Sequence, residues 1–242
     1  MLLMRVVASA GRRGMTIAEI TAASALSQST VSRMLACLLL EGMVEREPRT
    51  RKYFVGHVIH ELGLVARARY ELAVASRTAM QALAEQSQDT VYLSEPSGIE
   101  AVCTAREEGS FPIKALPLHV GIRRPLGVGA GGLAILAAMS DAQAQEIMQA
   151  NAQRYPAYGG IDLDYLNRGI AQSRLKGWSV VADKATTGMT AIGMPVLGRS
   201  GEPIGAISIA AITARMTSVR QIELARLLRA QCRATSAAIS QS

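Results

Sequence analysis

The sequence predicts an α+β chain in two parts, a small helical domain closed by a hairpin and a larger domain built on an antiparallel sheet. Three observations carry this. Residues 1–56 hold three short helix signals followed by an alternating, turn-broken run. Residues 57–75 keep one apolar helical face, with Val58, Leu62 and Val65 in phase, as expected of a linker helix packed between domains or against a partner chain. Residues 76–242 place strand patterns in two groups around helices, which is the order of an α+β domain.

In the first domain, Met1 to Ala10 is an apolar helix candidate stopped by Gly11 and Gly14. The chain is expected to begin inside that helix. Thr16 followed by Glu19 fits a capping box, so a second helix starts there and ends near Ser24. Ser27 is positioned to cap a third helix. In it Val31, Met34, Leu35 and Leu38 form a buried stripe, and Gln28, Ser29, Ser32 and Arg33 lie on the opposite face. After Gly42 the run VEREPRTRKYFV alternates well enough for two strands, with Pro48 and Thr50 near the turn.

The charge fits this layout. With 26 Lys+Arg against 19 Asp+Glu the net charge is +7, which suits a partner that carries phosphates. A basic balance alone is weak evidence, so its location has to decide. Arg46, Arg49, Arg51 and Lys52 cluster at the hairpin, beside a helix whose exposed start carries small hydroxyls. A short helix, a tight turn and a second helix of that kind let the second helix enter a major groove, while the cations grip phosphates. The first domain therefore reads as a winged helix-turn-helix DNA-binding domain. Its expected contacts are Thr16, Ser27, Gln28, Ser29, Thr30, Ser32 and Arg33, with Arg46, Arg49, Arg51, Lys52 and Tyr53 from the wing. The competing reading is a generic small domain with a solvated charged turn.

At this point a resemblance becomes specific. LSQSTVSRMLACLLLEGMVEREPRTRKYFVG resembles the IclR family of transcription regulators, and GWSVVADKATTGMTAIGMPVLGRSGEPIGAISIAAITARMT is similar to the family's C-terminal signature region. The resemblance implies a C-terminal GAF-like antiparallel-sheet sensor domain, a homodimer or homotetramer, and a small-molecule effector.

In the second domain the patterns predict a helix over 76–88, then strands near Thr90 to Glu95, Ile99 to Glu107 and Phe111 to Leu116, with a turn at Pro96-Ser97-Gly98. A glycine-rich helix start and polar helices around Asp141 to Asn151 and Asp162 to Lys176 follow, the last ended by Gly177. Strands Trp178 to Asp183, Thr190 to Leu197 and Pro203 to Ala211 come next. A final helix opened by Ser218 and Gln221 is expected to bury Ile222, Ala225 and Leu228.

Gly127-x-Gly129-x-x-Gly132 formally matches a dinucleotide fingerprint, but GIRRP before it is no clean parallel strand and no second strand with an acidic end follows. A glycine-lined helix start still attracts anions through free N–H groups, and close backbone packing is the equal alternative. The resemblance places effector contacts at Ala130, Gly131, Val181, Ala191, Ser208 and Ala210; relatives that take small oxo-acids carry an acid, a Cys and two Ser at the last four, and only Ser208 agrees. A pocket with so few polar partners suits a larger or more apolar ligand, such as an aromatic one, with any carboxylate at Gly129 to Gly131 and Ser208. Ile113, Leu116 and Met189 are expected to line it. Arg124 stands where relatives are apolar and would pair with an acidic ligand or face solvent, the latter being the default.

Other classes find little support. There is no G-x-S-x-G, H-E-x-x-H, P-loop or kinase set, so no catalytic residue is expected and the chain does not read as an enzyme. The alternative function is a small-molecule-binding module or enzyme without a DNA-binding role. Cys37, Cys103 and Cys232 are scattered and His57, His60 and Glu61 match no zinc-hydrolase spacing, so no metal and no cofactor is expected. Residues 125–140 are too short and too glycine-rich for a membrane span, no secretory leader is evident, and a cytoplasmic protein is expected.

Overall fold

A computed structural model describes residues 1–66, 72–116 and 118–241, which form two compact units, Met1–Tyr70 and Glu71–Ser242. In the first unit, α1 (Leu2–Ser9) buries Leu3, Met4 and Val7. Thr16 then opens α2 (Ile17–Ser24) through the predicted capping box: the Glu19 amide donates to Thr16 Oγ1 at 3.4 Å, and the Glu19 carboxylate accepts from the Thr16 amide at 2.7 Å. That backbone bond, together with Arg13 2.6 Å away, holds the Glu19 carboxyl down at about 2. Ala25 in the left-handed region ends α2, and Ser27 caps α3 (Gln28–Leu40), accepting from the Thr30 amide at 3.3 Å. A three-residue turn thus joins the two helices.

Thr16→Ala is expected to cost the first unit about 1 kcal/mol, because the Glu19 amide at the helix start loses its side-chain acceptor. Faster amide exchange in α2 checks it. Fluorescence of the single tryptophan, Trp178, lies in the second unit and should not respond.

The hairpin β1 (Val44–Arg46) and β2 (Tyr53–Val55) pairs antiparallel, and Met15 bridges to Tyr53 as a further rung. Leu3, Val7, Ile20, Val31, Leu35, Val44 and Tyr53 make the core. The stripe on α3 is narrower than expected. Met34 is 37% exposed and Leu38 only half-buried, because α3 sets a single edge, Val31 and Leu35, fully against the core. The helix α4 (His57–Ala66) is tied to this unit by Ile59 and by the His57 amide, which donates to Glu45 at 2.9 Å. Its Leu62 and Val65 are exposed and Val58 half-buried. Residues 67–71 of the linker helix expected over 57–75 lie outside the described residues.

In the second unit, α5 (Leu72–Ala75) and α6 (Arg77–Ser87) precede β3 (Thr90–Ser97) and β4 (Glu100–Glu107), joined by a two-residue turn whose first residue, Gly98, has φ 61°. Then come β5 (Arg123–Pro125), α7 (Ala130–Ala138), α8 (Asp141–Asn151), α9 (Leu163–Lys176), β6 (Ser179–Ala182), β7 (Met189–Leu197), β8 (Pro203–Ile212) and α10 (Ser218–Gln241). The strands form one antiparallel sheet in the order β5-β4-β3-β8-β7-β6. Helices cover both faces. The central β8 shows why its sequence reads as a continuous apolar run: Ile207, Ile209 and Ala211 face α6 and α10, whereas Ala206, Ser208 and Ala210 face the α7 side.

Two expectations are corrected. No strand forms over Phe111 to Leu116: Pro112 removes a ladder donor, and the segment is folded back, the Phe111 amide donating to Gln88 at 2.9 Å and its ring lying 3.7 Å from the Arg215 guanidinium. The outer edge of β4 pairs with β5 instead, a strand too short to show a period. In α10 the buried seam is Leu224, Ala225, Leu228 and Cys232, while Ile222 is 52% exposed. The start of α10 is fastened by buried Asp89, which accepts from Arg215 at 3.0 Å and Arg220 at 2.7 Å.

Candidate DNA-reading face and effector cavity

In the first unit Ser27, Gln28, Ser29, Ser32 and Arg33 are all exposed on one stretch of α3. Thr30 is half-buried, its hydroxyl 2.9 Å from that of Ser27. The Thr16 hydroxyl is engaged in the cap of α2, donating to Glu19 at 3.0 Å. Exposed Cys37, one turn beyond Arg33, was not singled out by sequence; its place on the face shows only once the buried edge of α3 is known.

The wing turn is held by the Arg51 amide donating to the Glu47 carbonyl at 2.8 Å and by a Thr50 hydroxyl bond to the Glu47 carboxylate. Its cations differ in freedom. Lys52 donates to the Arg13 carbonyl at 3.2 Å, and Arg46 lies 5.4 Å from the Tyr53 ring centre. Arg49 and Arg51 are exposed, with side chains that make no bond among the described residues. Tyr53 must be corrected as a DNA contact. Strand alternation turns it inward, leaving it 6% exposed in the core, with its backbone occupied by Met15.

In the second unit a small, partly open cavity lies between the sheet and the start of α7. Of the expected contacts, Arg124, Gly129, Ala130, Gly131, Val181, Met189, Ala191, Ser208 and Ala210 line it. Ile113 and Leu116 do not. They belong to the segment expected as a strand, and Ile113 is 57% exposed. Leu118 from the same loop lines the cavity, together with Tyr92, Ser94, Val128, Ala185 and Thr186, which sequence reasoning missed. Tyr92 and Ser94 are spaced by two on β3 and so share a face, but only the packed sheet shows which face.

The helix start combines both readings weighed for its glycines. Gly129, at φ 81°, caps α7. A Cβ on Gly131 would stand 2.9 Å from Ser94 Oγ and 3.5 Å from Ser208 Oγ, so the backbone lies close over both hydroxyls. No parallel strand precedes it, since β5 runs antiparallel to β4, and the dinucleotide context is absent. Tyr92 donates its hydroxyl to the Ala115 carbonyl at 2.5 Å, and burial pushes its phenol well above the ordinary range. Arg124 belongs to the cavity wall rather than to solvent, 5.9 Å from the Tyr158 ring centre, and burial lowers its pKa. Burial likewise pushes the nearby Cys103 thiol up to about 11, which keeps it a neutral core group.

Family models decide the kinship: the bacterial transcriptional regulator IclR C-terminal domain matches residues 65–237, and the IclR helix-turn-helix domain matches residues 1–48. The chain belongs to the IclR family. Among its relatives, the HTH-type transcriptional regulator BhcR of Paracoccus denitrificans is 26% identical over 208 residues, 86% of this chain and 74% of that regulator. An IclR regulator structure from Alicyclobacillus acidocaldarius superposes with TM-score 0.81 at 20% identity, over 98% of this chain and 97% of that one. An IclR homologue from Microbacterium hydrocarbonoxydans, solved with 4-hydroxybenzoate, superposes with TM-score 0.77 at 22% identity over 100% of both chains. This IclR-family chain is thus a transcriptional regulator with a helix-turn-helix domain and a C-terminal ligand-binding domain, not an enzyme. Among the described residues no group of His, Cys, Asp and Glu could hold a metal ion, and no helix is long and apolar enough to cross a membrane.

Proposed function

We propose that this chain is a cytoplasmic, effector-responsive regulator that binds an inverted-repeat operator as a homo-oligomer, dimer or tetramer. The observation that carries the reading is one exposed polar stretch, Ser27 to Arg33 on a capped helix, in the same unit as a wing tip carrying Arg49 and Arg51. Gln28, Ser29, Ser32 and Arg33 face base edges, while Ser27 and Thr30 hold the helix start at the backbone. Arg49 and Arg51 contact phosphates. Arg46 and Lys52 contribute less, because both are engaged inside the domain. The second unit, a GAF-like sensor, takes a small organic acid in its cavity, an aromatic one fitting the largely apolar wall of Val128, Val181, Met189, Ala191 and Ala210. The homologue that holds 4-hydroxybenzoate supports that size class. Ligand binding alters operator affinity only as far as the two arrangements of the oligomer differ in affinity for the acid.

The test is binding of purified protein to promoter fragments, read by fluorescence anisotropy across a salt series. The reading expects a steep salt dependence, and Arg49→Ala with Arg51→Ala, which removes two phosphate contacts from each of the two protomers on an inverted repeat, is expected to lower the slope of log K against log salt by about 4, equally on all sequences. Protein that ignores duplex DNA at every salt concentration, yet binds or turns over a small molecule, would point to the alternative of a module without a DNA role.

A further inference from the structure

We propose that Glu45, on the wing strand β1, is a positioning residue for DNA binding: its carboxylate caps the linker helix α4 and so fixes the wing, the end of α3 and the linker as one joint. This rests on the reading of Arg49 and Arg51 as phosphate contacts.

The chain passes from β2 into α4 at Gly56, and a glycine there has no side chain to accept from the first helical amides. Glu45 supplies the acceptor from outside the helix. One of its carboxylate oxygens accepts from the His57 amide at 2.9 Å and stands 3.2 Å from Nδ1 of the same residue's ring. Among the described residues these are the only side-chain hydrogen bonds between β1 and α4. A carboxylate suits the place, since the helix dipole favours negative charge at its first turn. The His57 amide, and after it the ring, hold the Glu45 carboxyl below its ordinary range.

The joint is tight on its other side. The Gly56 amide donates to the Met43 carbonyl at 2.9 Å, and a Cβ on Gly56 would stand 2.1 Å from the Gly42 carbonyl oxygen. Gly42, at φ 64°, follows the end of α3, and a Cβ on it would stand 2.9 Å from Val58 and 3.2 Å from the His57 ring. Close backbone approach thus sets the end of α3 against the start of α4. Glu45 lies opposite Phe54 in the hairpin register, so its bond to His57 ties β1 as well as β2 to the helix. Without that tie the helix start frays, and the cost of ordering the wing against it falls on DNA binding.

Anisotropy titration of a random-sequence duplex at low salt, with Glu45→Gln, Glu45→Ala and the double variant Arg49→Ala with Arg51→Ala, tests this; thermal melts check that each folds. Charge alone would make both Glu45 variants bind the duplex more tightly than wild type, because each removes an anion from a phosphate-reading domain. The cap predicts a split. Glu45→Gln keeps an acceptor and should bind at least as tightly as wild type, whereas Glu45→Ala should bind about threefold or more weaker per protomer. Adding Glu45→Ala to the arginine variant should cause little further loss, since the cap acts through those arginines. Equal gain in both Glu45 variants, equal loss in both, or a loss in Glu45→Ala that adds in full to the arginine loss would overturn the positioning role alone. Wild type that ignores the duplex at every salt concentration would overturn the DNA reading, and this role with it.

Discussion

Asp89→Ala is expected to destabilise the second unit by about 3 kcal/mol, seen as a lower urea midpoint of Trp178 fluorescence. The carboxylate is 4% exposed and accepts from both Arg215 and Arg220. Removing it leaves two largely buried guanidiniums with one carbonyl, that of Ser87, as their remaining shared acceptor. Arg220 Nε is already buried without a partner among the described residues, so the cluster has no acceptor in reserve. An exposed pair such as Arg13 with Glu19 is a different case, because water screens the pair and replaces the lost partner. Asp89→Asn, which keeps an acceptor and loses the charge, should fall between alanine and wild type.

The second large effect concerns recognition. Arg33→Ala should weaken operator binding by about 1–3 kcal/mol per half-site and flatten the preference at one base position in each, because a guanidinium reads a base edge through two parallel bonds. Arg33 is exposed in the middle of the polar face, and its side chain makes no bond among the described residues, so truncation leaves the core of Val31 and Leu35 intact. Loss of binding that is equal on every sequence would instead assign Arg33 to phosphate.

What sequence revealed divides along a physical line. Local chemistry was legible: the Thr16–Glu19 box, the Ser27 cap and Gly177 in the left-handed region are set within a few residues of chain, and each forms as expected. Features that depend on what packs against a segment were not. The apolar run from Phe111 alternates like a strand, yet it has no ladder partner, because β5 takes the edge of β4. Tyr53 looks like a wing contact until the hairpin's alternation turns it into the core. Arg124 reads as a surface cation on an unremarkable GIRRP segment. Only the packed sheet shows that it lines the same cavity as Ser94 and Ser208.

In vitro selection from random duplex DNA, run in parallel on wild type and on the variant with Gln28, Ser29, Ser32 and Arg33 all replaced by alanine, addresses the recognition face most directly. Wild type should enrich an inverted repeat, while the variant, folded and still salt-sensitive through Arg49 and Arg51, should enrich no sequence. Recovery of the same repeat by the variant, or no enrichment by wild type at any salt concentration, would contradict the assignment of α3 as the element that reads bases.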